Sequence, residues 1–125
     1  IAPSFYQAAG TEYPATFRNK KIYHLKGKSF MNLITGRAEQ LHDEEYVFGL
    51  EHRGRAMLRK GDWKIVNNNP PFQPENFKLY NLFKDLAELN NLRELEKDKY
   101  EELMKEWLKF SKEIKAQFPT PEGEE

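Results

Sequence analysis

Cysteine is absent from this 125-residue chain, which excludes disulfides, thiolate metal sites and cysteine nucleophiles and leaves the redox compartment open. Long apolar runs are missing too. No stretch approaches the roughly 18 apolar residues that a membrane-spanning helix needs, so no membrane partner is expected. Net charge is the third absence, with 20 Lys and Arg against 20 Asp and Glu, and it removes any whole-molecule field that would steer the protein onto nucleic acid or anionic lipid. Binding of that kind would have to be local. The chain opens on Ile-Ala-Pro, with neither a methionine nor a secretory apolar segment, and the expectation is a processed or excised piece of something longer. At 38% hydrophobic and 14% aromatic, the length suits one globular domain with one core and not comfortably two.

The most structured stretch is YVFGLEHRGRAMLRKGDWKIV, Tyr46 to Val66. Tyr46, Phe48, Leu50 and His52 alternate with Val47, Gly49 and Glu51, and Ala56 and Leu58 alternate with Arg55, Met57 and Arg59, the period of a half-buried strand. Trp63 and Ile65 continue the pattern. Arg53-Gly54 and Gly61-Asp62 each place a glycine where a two-residue hairpin turn requires positive φ, so the segment predicts an antiparallel meander. Asn67 to Asn76, with three prolines and four asparagines, reads as loop, and Phe77 to Phe83 as a fourth strand. Asp85 and Glu88 have the D-x-x-E spacing of a capping box, which predicts a helical turn there.

From about Glu94 to Gln117 the apolar residues Tyr100, Leu103, Met104, Trp107, Leu108 and Ile114 recur, with Ser111, at spacings of three and four. This predicts one long amphipathic helix laid across a face of the sheet, with Trp107 the largest contributor to the core. A partner-binding or membrane-surface helix is the alternative, weakened by the mixed charges on its polar side. Pro119 to Glu125 should fray. Ahead of the meander, residues 2 to 9 read as a short helix ended by Gly10, and Ser29 as the cap of a second, containing Phe30, Leu33 and Ile34 and ended by Gly36. Thr11 to Lys28 reads as loop; its five cations and its aromatics suggest nucleic acid less readily than a solvated surface. The fold class expected is therefore α+β: a four-stranded antiparallel sheet packed on one long C-terminal helix, preceded by a helical and loop segment. The divisions expected are 1–45, 46–118 and a tail from 119 to 125.

Candidate chemistry is sparse. His42-Asp43-Glu44-Glu45 invites a metal reading, but adjacent residues do not converge easily on one ion, and a solvated loop is the simpler account. Glu51 and His52 could pair as acid and base, against a structural role for a strand-end histidine. Ser4, Ser29 and Ser111 have no His and carboxylate that spacing places beside them, and read as caps.

The run GLEHRGRAMLRKGDWKIV at Gly49 to Val66, followed by KLYNLFKDLAELNNL at Lys78 to Leu92, resembles the C-terminal region of the type I sulfatases, the alkaline-phosphatase-like arylsulfatases. IAPSFYQAAGTEYP at Ile1 to Pro14 and GKSF at Gly27 to Phe30 echo earlier motifs of that family, so the resemblance runs in order over nearly the whole chain. Leu86 departs from it, standing where the family usually has proline. The resemblance implies an α+β subdomain beside a catalytic domain that carries a formylglycine nucleophile, made from Cys or Ser in C/S-x-P-x-R, and a calcium ion. Neither that motif nor a catalytic residue can be carried over to this chain, so no cofactor is expected here and calcium is expected in the missing domain. The same resemblance implies the catalytic domain as partner, a sulfate ester as substrate of the intact enzyme only, and, from bacterial sulfatases, a periplasmic or secreted location. His52, Arg53 and Arg55, at the turn matching the family's E-H-x-G, are the candidate rim of the substrate site. A fragment so placed should expose apolar surface at residues 1–9 and around Phe30, Leu33 and Ile34, and self-associate. A free-standing binding module is the other reading of the same residues.

Overall fold

The computed structural model describes residues 1–69 and 71–114, which fall into two compact units, 1–43 and 44 onward, where composition alone suggested one.

In the first, α1 (Ala2–Ala8) has proline in its first turn, and Gly10, at φ +66°, lets the chain leave it. Its one buried residue is Ser4, whose Oγ accepts the Phe30 N–H at 2.9 Å. The Thr11–Lys28 stretch expected as loop contains a small hairpin, β1 (Thr16–Phe17) and β2 (Lys20–Lys21), two rungs closed by Arg18 and Asn19 at φ +48° and +61°. Both central residues at positive φ make this a type I′ turn, and with no glycine in it the sequence carried little sign of it. A short helix follows, α2 (Met31–Ile34); its cap is Phe30 and not Ser29, whose Oγ accepts the Met31 N–H at a long 3.3 Å.

The second unit is the meander. Strands β3 (Val47–His52), β4 (Arg55–Lys60), β5 (Trp63–Asn67) and β6 (Lys78–Asn81) form one antiparallel sheet in chain order. Arg53 and Gly54 at φ +50° and +77° make the first turn type I′, while Gly61 alone at +56° makes the second type II′. Register aligns one set of side chains, Gly49 with Leu58 and Leu58 with Ile65, which then pairs through to Leu79. On this face lies α3, Lys97–Ile114 among the described residues, beginning three positions later than the apolar spacing suggested because Leu92 to Glu96 forms a preceding turn. The rest of the expected helix, from 115, and the tail 119–125 lie outside the described residues.

Leu58, Ile65, Leu79, Leu103 and Trp107 are fully buried between sheet and helix, with Phe72 and Phe77 closing the side. Trp107 is the largest of the core residues, as the spacing predicted, and rings of Phe72, Phe77 and Phe110 stand 5.4–5.9 Å from its own. Leu108 does not join the stripe: it is half exposed, and Phe110 packs on the core in its place. Gly49 makes that possible. A Cβ at this position would come within 2.6 Å of the Phe110 ring, so the helix seats against bare backbone of β3.

Two departures concern the loops. Asn67–Asn76 is not wholly irregular, since Asn67 ends β5 and Pro74–Asn76 forms a 3₁₀ turn that receives the Tyr100 hydroxyl on the Pro74 carbonyl. Asp85 starts no helix: its carboxylate accepts the N–H groups of Leu89 and Asn90, Glu88 sits at φ +56°, and Glu88 reaches across to Lys64 at 2.5 Å instead of back to the Asp85 N–H. The capping-box spacing is present but a tight hydrogen-bonded loop uses it.

Candidate functional site

Strand alternation divides the first hairpin turn between the two faces of the sheet. His52 and Arg55 are directly paired in register, so both side chains rise from the face opposite α3, and Arg53 occupies the tip. All three are exposed. Glu51 belongs to the other face, and its Oε1 accepts the Gly54 N–H at 3.1 Å, tying the turn closed. The acid–base pairing of Glu51 with His52 is therefore not formed, because adjacent strand residues point oppositely. What the turn offers is an imidazole and guanidiniums in the open, able to grip an anion through paired N–H donors.

The serines are spoken for. Ser4 and Ser29 accept backbone N–H groups, and Ser111 Oγ donates to the Leu108 carbonyl at 3.0 Å. Among the described residues no three of His, Cys, Asp and Glu come together as a metal site, and in the His42–Glu45 run Glu45 pairs with Lys60 at 2.8 Å. One polar hollow, of about 290 Å³, opens between Val66, Asn67, Asn68, Asn69, Asn76 and Lys78. Its buried amide, Asn67, is committed to the Pro71 carbonyl and the Asn69 N–H, so it holds the loop in shape.

Perturbed groups lie away from the turn. Lys60, on the helix side of the sheet with 16% of its side chain exposed, sits 2.7 Å from Glu102 and 2.8 Å from Glu45, and these contacts raise its pKa well above the lysine range. The same bond from Lys60, with one from Lys99, lowers that of Glu102. The Asn90 and Leu89 N–H groups lower Asp85, and burial, followed by the charges of Glu88 and Asp85, raises Tyr80. These are supports of the fold.

Sequence reasoning missed the surface that is most unusual. Phe48 and Leu50 are 48% and 51% exposed on the face away from α3. In the loop after β6, Phe83, Leu86 and Leu89 are about four-fifths exposed although Asn81 and Asp85 bind its backbone tightly. A signal existed: in β3 both phases of the alternation carry apolar residues, which is the mark of a strand covered on both sides.

No family model matches the chain. An uncharacterized sulfatase of Schizosaccharomyces pombe is 25% identical over 114 residues, which is 90% of this chain and 20% of the relative. Solved structures share the fold, three of them as follows. One, in complex with a neocarrahexaose, superposes with a TM-score of 0.59 at 22% identity, over 87% of this chain and 22% of that one. A second, in complex with its substrate D-glucosamine-2-N,6-O-disulfate, gives 0.58 at 19% identity, over 98% and 25%. The third, assigned as a sulfatase from Bacteroides thetaiotaomicron, gives 0.58 at 18%, over 98% and 27%. This chain thus spans about a fifth to a quarter of the length of proteins that match nearly all of it, and with its four-stranded antiparallel sheet and single long helix it resembles the C-terminal subdomain of a sulfatase.

Proposed function

We propose that this chain is the non-catalytic C-terminal part of a sulfuric ester hydrolase, that it packs on a catalytic domain borne elsewhere in the same protein, and that its first hairpin turn helps shape the substrate entrance. The observation that carries the reading is the coverage: nearly all of this chain corresponds to about a quarter of each sulfatase-like chain. Sulfate-ester cleavage needs an activated nucleophile and cationic groups on the departing oxygens. The described residues supply cations without the nucleophile, so the division of labour is chemical: His52, Arg53 and Arg55 contact the anion's approach, and bond cleavage belongs to the other domain. Calcium, if the enzyme uses it, belongs there as well.

The test compares this 125-residue chain with the full-length protein on nitrophenyl sulfate. Hydrolysis by the full-length protein and none by the chain is the expected result. Turnover by the chain above a blank free of host sulfatase refutes the non-catalytic role, and a full-length protein that binds a partner but hydrolyses no sulfate ester returns the chain to the class of binding modules.

A further inference from the structure

Pairing register collects Leu50 with Met57 and Met57 with Val66 on the sheet face opposite α3, with Phe48 beside them. This is an apolar stripe down the middle of the outer face. Around it the strands place Arg55, Arg59, Lys64 and Lys78, and no strand position on this face carries Asp or Glu. The carboxylate that does arrive comes from the loop, Glu88, and it is taken by Lys64. In a chain with as many acids as bases, a face of one sign around an apolar centre is a specific arrangement.

We infer that this face is the seat on which the rest of the same sulfatase polypeptide packs, through an apolar contact ringed by that body's carboxylates. The inference rests on the proposed function and names the surface it uses. Size decides the occupant. Strands about 17 Å long set about 4.8 Å apart give a face of about 300 Å², against about 800 Å² per partner for a complex that holds two free proteins together. A patch this small is satisfied by a body tethered in the same chain, whose effective concentration does the work that area would otherwise do. Such a body has room to exist, since this chain corresponds to only 20–27% of the matched proteins. His52 and Arg55 stand at one end of the face, where the contact would run out toward the substrate entrance.

The experiment uses the full-length protein. Leu50→Cys and, on the exposed side of α3, Lys105→Cys are each treated with a maleimide in native buffer and in denaturant, and modification at that position is counted by mass spectrometry. This chain has no thiol of its own to confuse the peptide. Native labelling at position 50 at least tenfold slower than at position 105, in protein that sediments as a monomer, is the expected result. Equal rates overturn the inference, and so does protection that disappears on dilution of a self-associating sample, which gives the face to a second copy. Adding Lys78→Glu to Leu50→Cys should raise labelling threefold or more, and no change overturns the carboxylate ring. Sulfate-ester hydrolysis by the same samples separates the two ideas. An active protein freely labelled at position 50 refutes the face and leaves the sulfatase reading; an inactive one protected there refutes that reading and leaves the face covered.

Discussion

Replacing Trp107 by alanine and by phenylalanine should give sharply different results. Trp107 is 0% exposed and its indole is enclosed by Phe72, Phe77 and Phe110. A buried tryptophan removes about 200–250 Å² from water, or roughly 5–6 kcal/mol at 25 cal/mol per Å². Compactness of the unfolded chain and the alanine that remains reduce this, while the cavity left behind adds to it, and the net for Trp107→Ala is about 3–5 kcal/mol. Phenylalanine loses only part of that area. It also removes the indole N–H, which is buried and finds no acceptor among the described residues. An orphaned buried donor costs about 1–3 kcal/mol, so Trp107→Phe should fall within about 1.5 kcal/mol of the parent. Urea unfolding of the chain, followed by circular dichroism and by the remaining Trp63, reads both. With an m-value of about 1.5 kcal/mol/M the alanine variant shifts the midpoint by roughly 2–3 M and the phenylalanine variant by no more than about 1 M. An unchanged midpoint for alanine would refute the core placement, and equal losses for both would refute the unpaired N–H.

The Lys60–Glu102 pair should make stability depend on pH. Glu102 has its pKa lowered, so its contribution is present above the ordinary glutamate value of 4.5 and is lost as pH falls through its lower folded value; Lys60 has its pKa raised, so its share is present below 10.5 and lost above. Because Glu102 is 36% exposed and screened, Glu102→Gln should cost at most about 1 kcal/mol at pH 7, with the difference closing near pH 3; a difference unchanged from pH 7 to 3 in calorimetry would show that charge is not its source. In the full-length protein, His52→Ala or Arg53→Ala should lower kcat/KM for a sulfated substrate about tenfold, near 1.4 kcal/mol, while Lys105→Ala leaves it alone; losses within twofold at both turn residues would remove them from the rim. Ile1, Phe5 and Ile34 are each more than 60% exposed, so the isolated chain should self-associate or exchange its amides rapidly over residues 1–35. Monomeric sedimentation together with strong protection there would count against it.

What the sequence made legible followed from strict periods. Gly54 and Gly61 punctuate the meander, and alternation through β4 fixes its inward face, since a one-place slip would turn the core outward; in β3 both phases carry apolar residues, and it is Phe48 and Leu50 that face away from α3. The helix was equally plain from Leu103, Met104 and Trp107, yet its width was not, because Leu108 and Phe110 are both compatible with the stripe and only the gap at Gly49 selects the latter. The Arg18–Asn19 hairpin escaped notice since its rungs are too short to show a period. Asp85 misled for a different reason: a D-x-x-E spacing satisfies N–H groups in a loop as readily as in a helix, and Glu88 at positive φ is not visible in a string of letters. At the candidate site, the sequence named His52 and Arg55, whereas the strand register determined that they share a face and that Glu51 does not.

The fit of Phe110 against Gly49 makes two positions, far apart in the chain, share one volume. Ångströms of helix placement are at stake, because any Cβ at 49 must displace either that ring or the axis of α3. Across relatives that keep this sheet and helix, the pair should then vary together: a glycine beside a large aromatic, or a bulkier strand residue beside a small helical one. Forced apart by Gly49→Ala alone, the helix should tilt; paired with Phe110→Leu, the same alanine should be accommodated, and the two substitutions should cost less together than the sum of each alone.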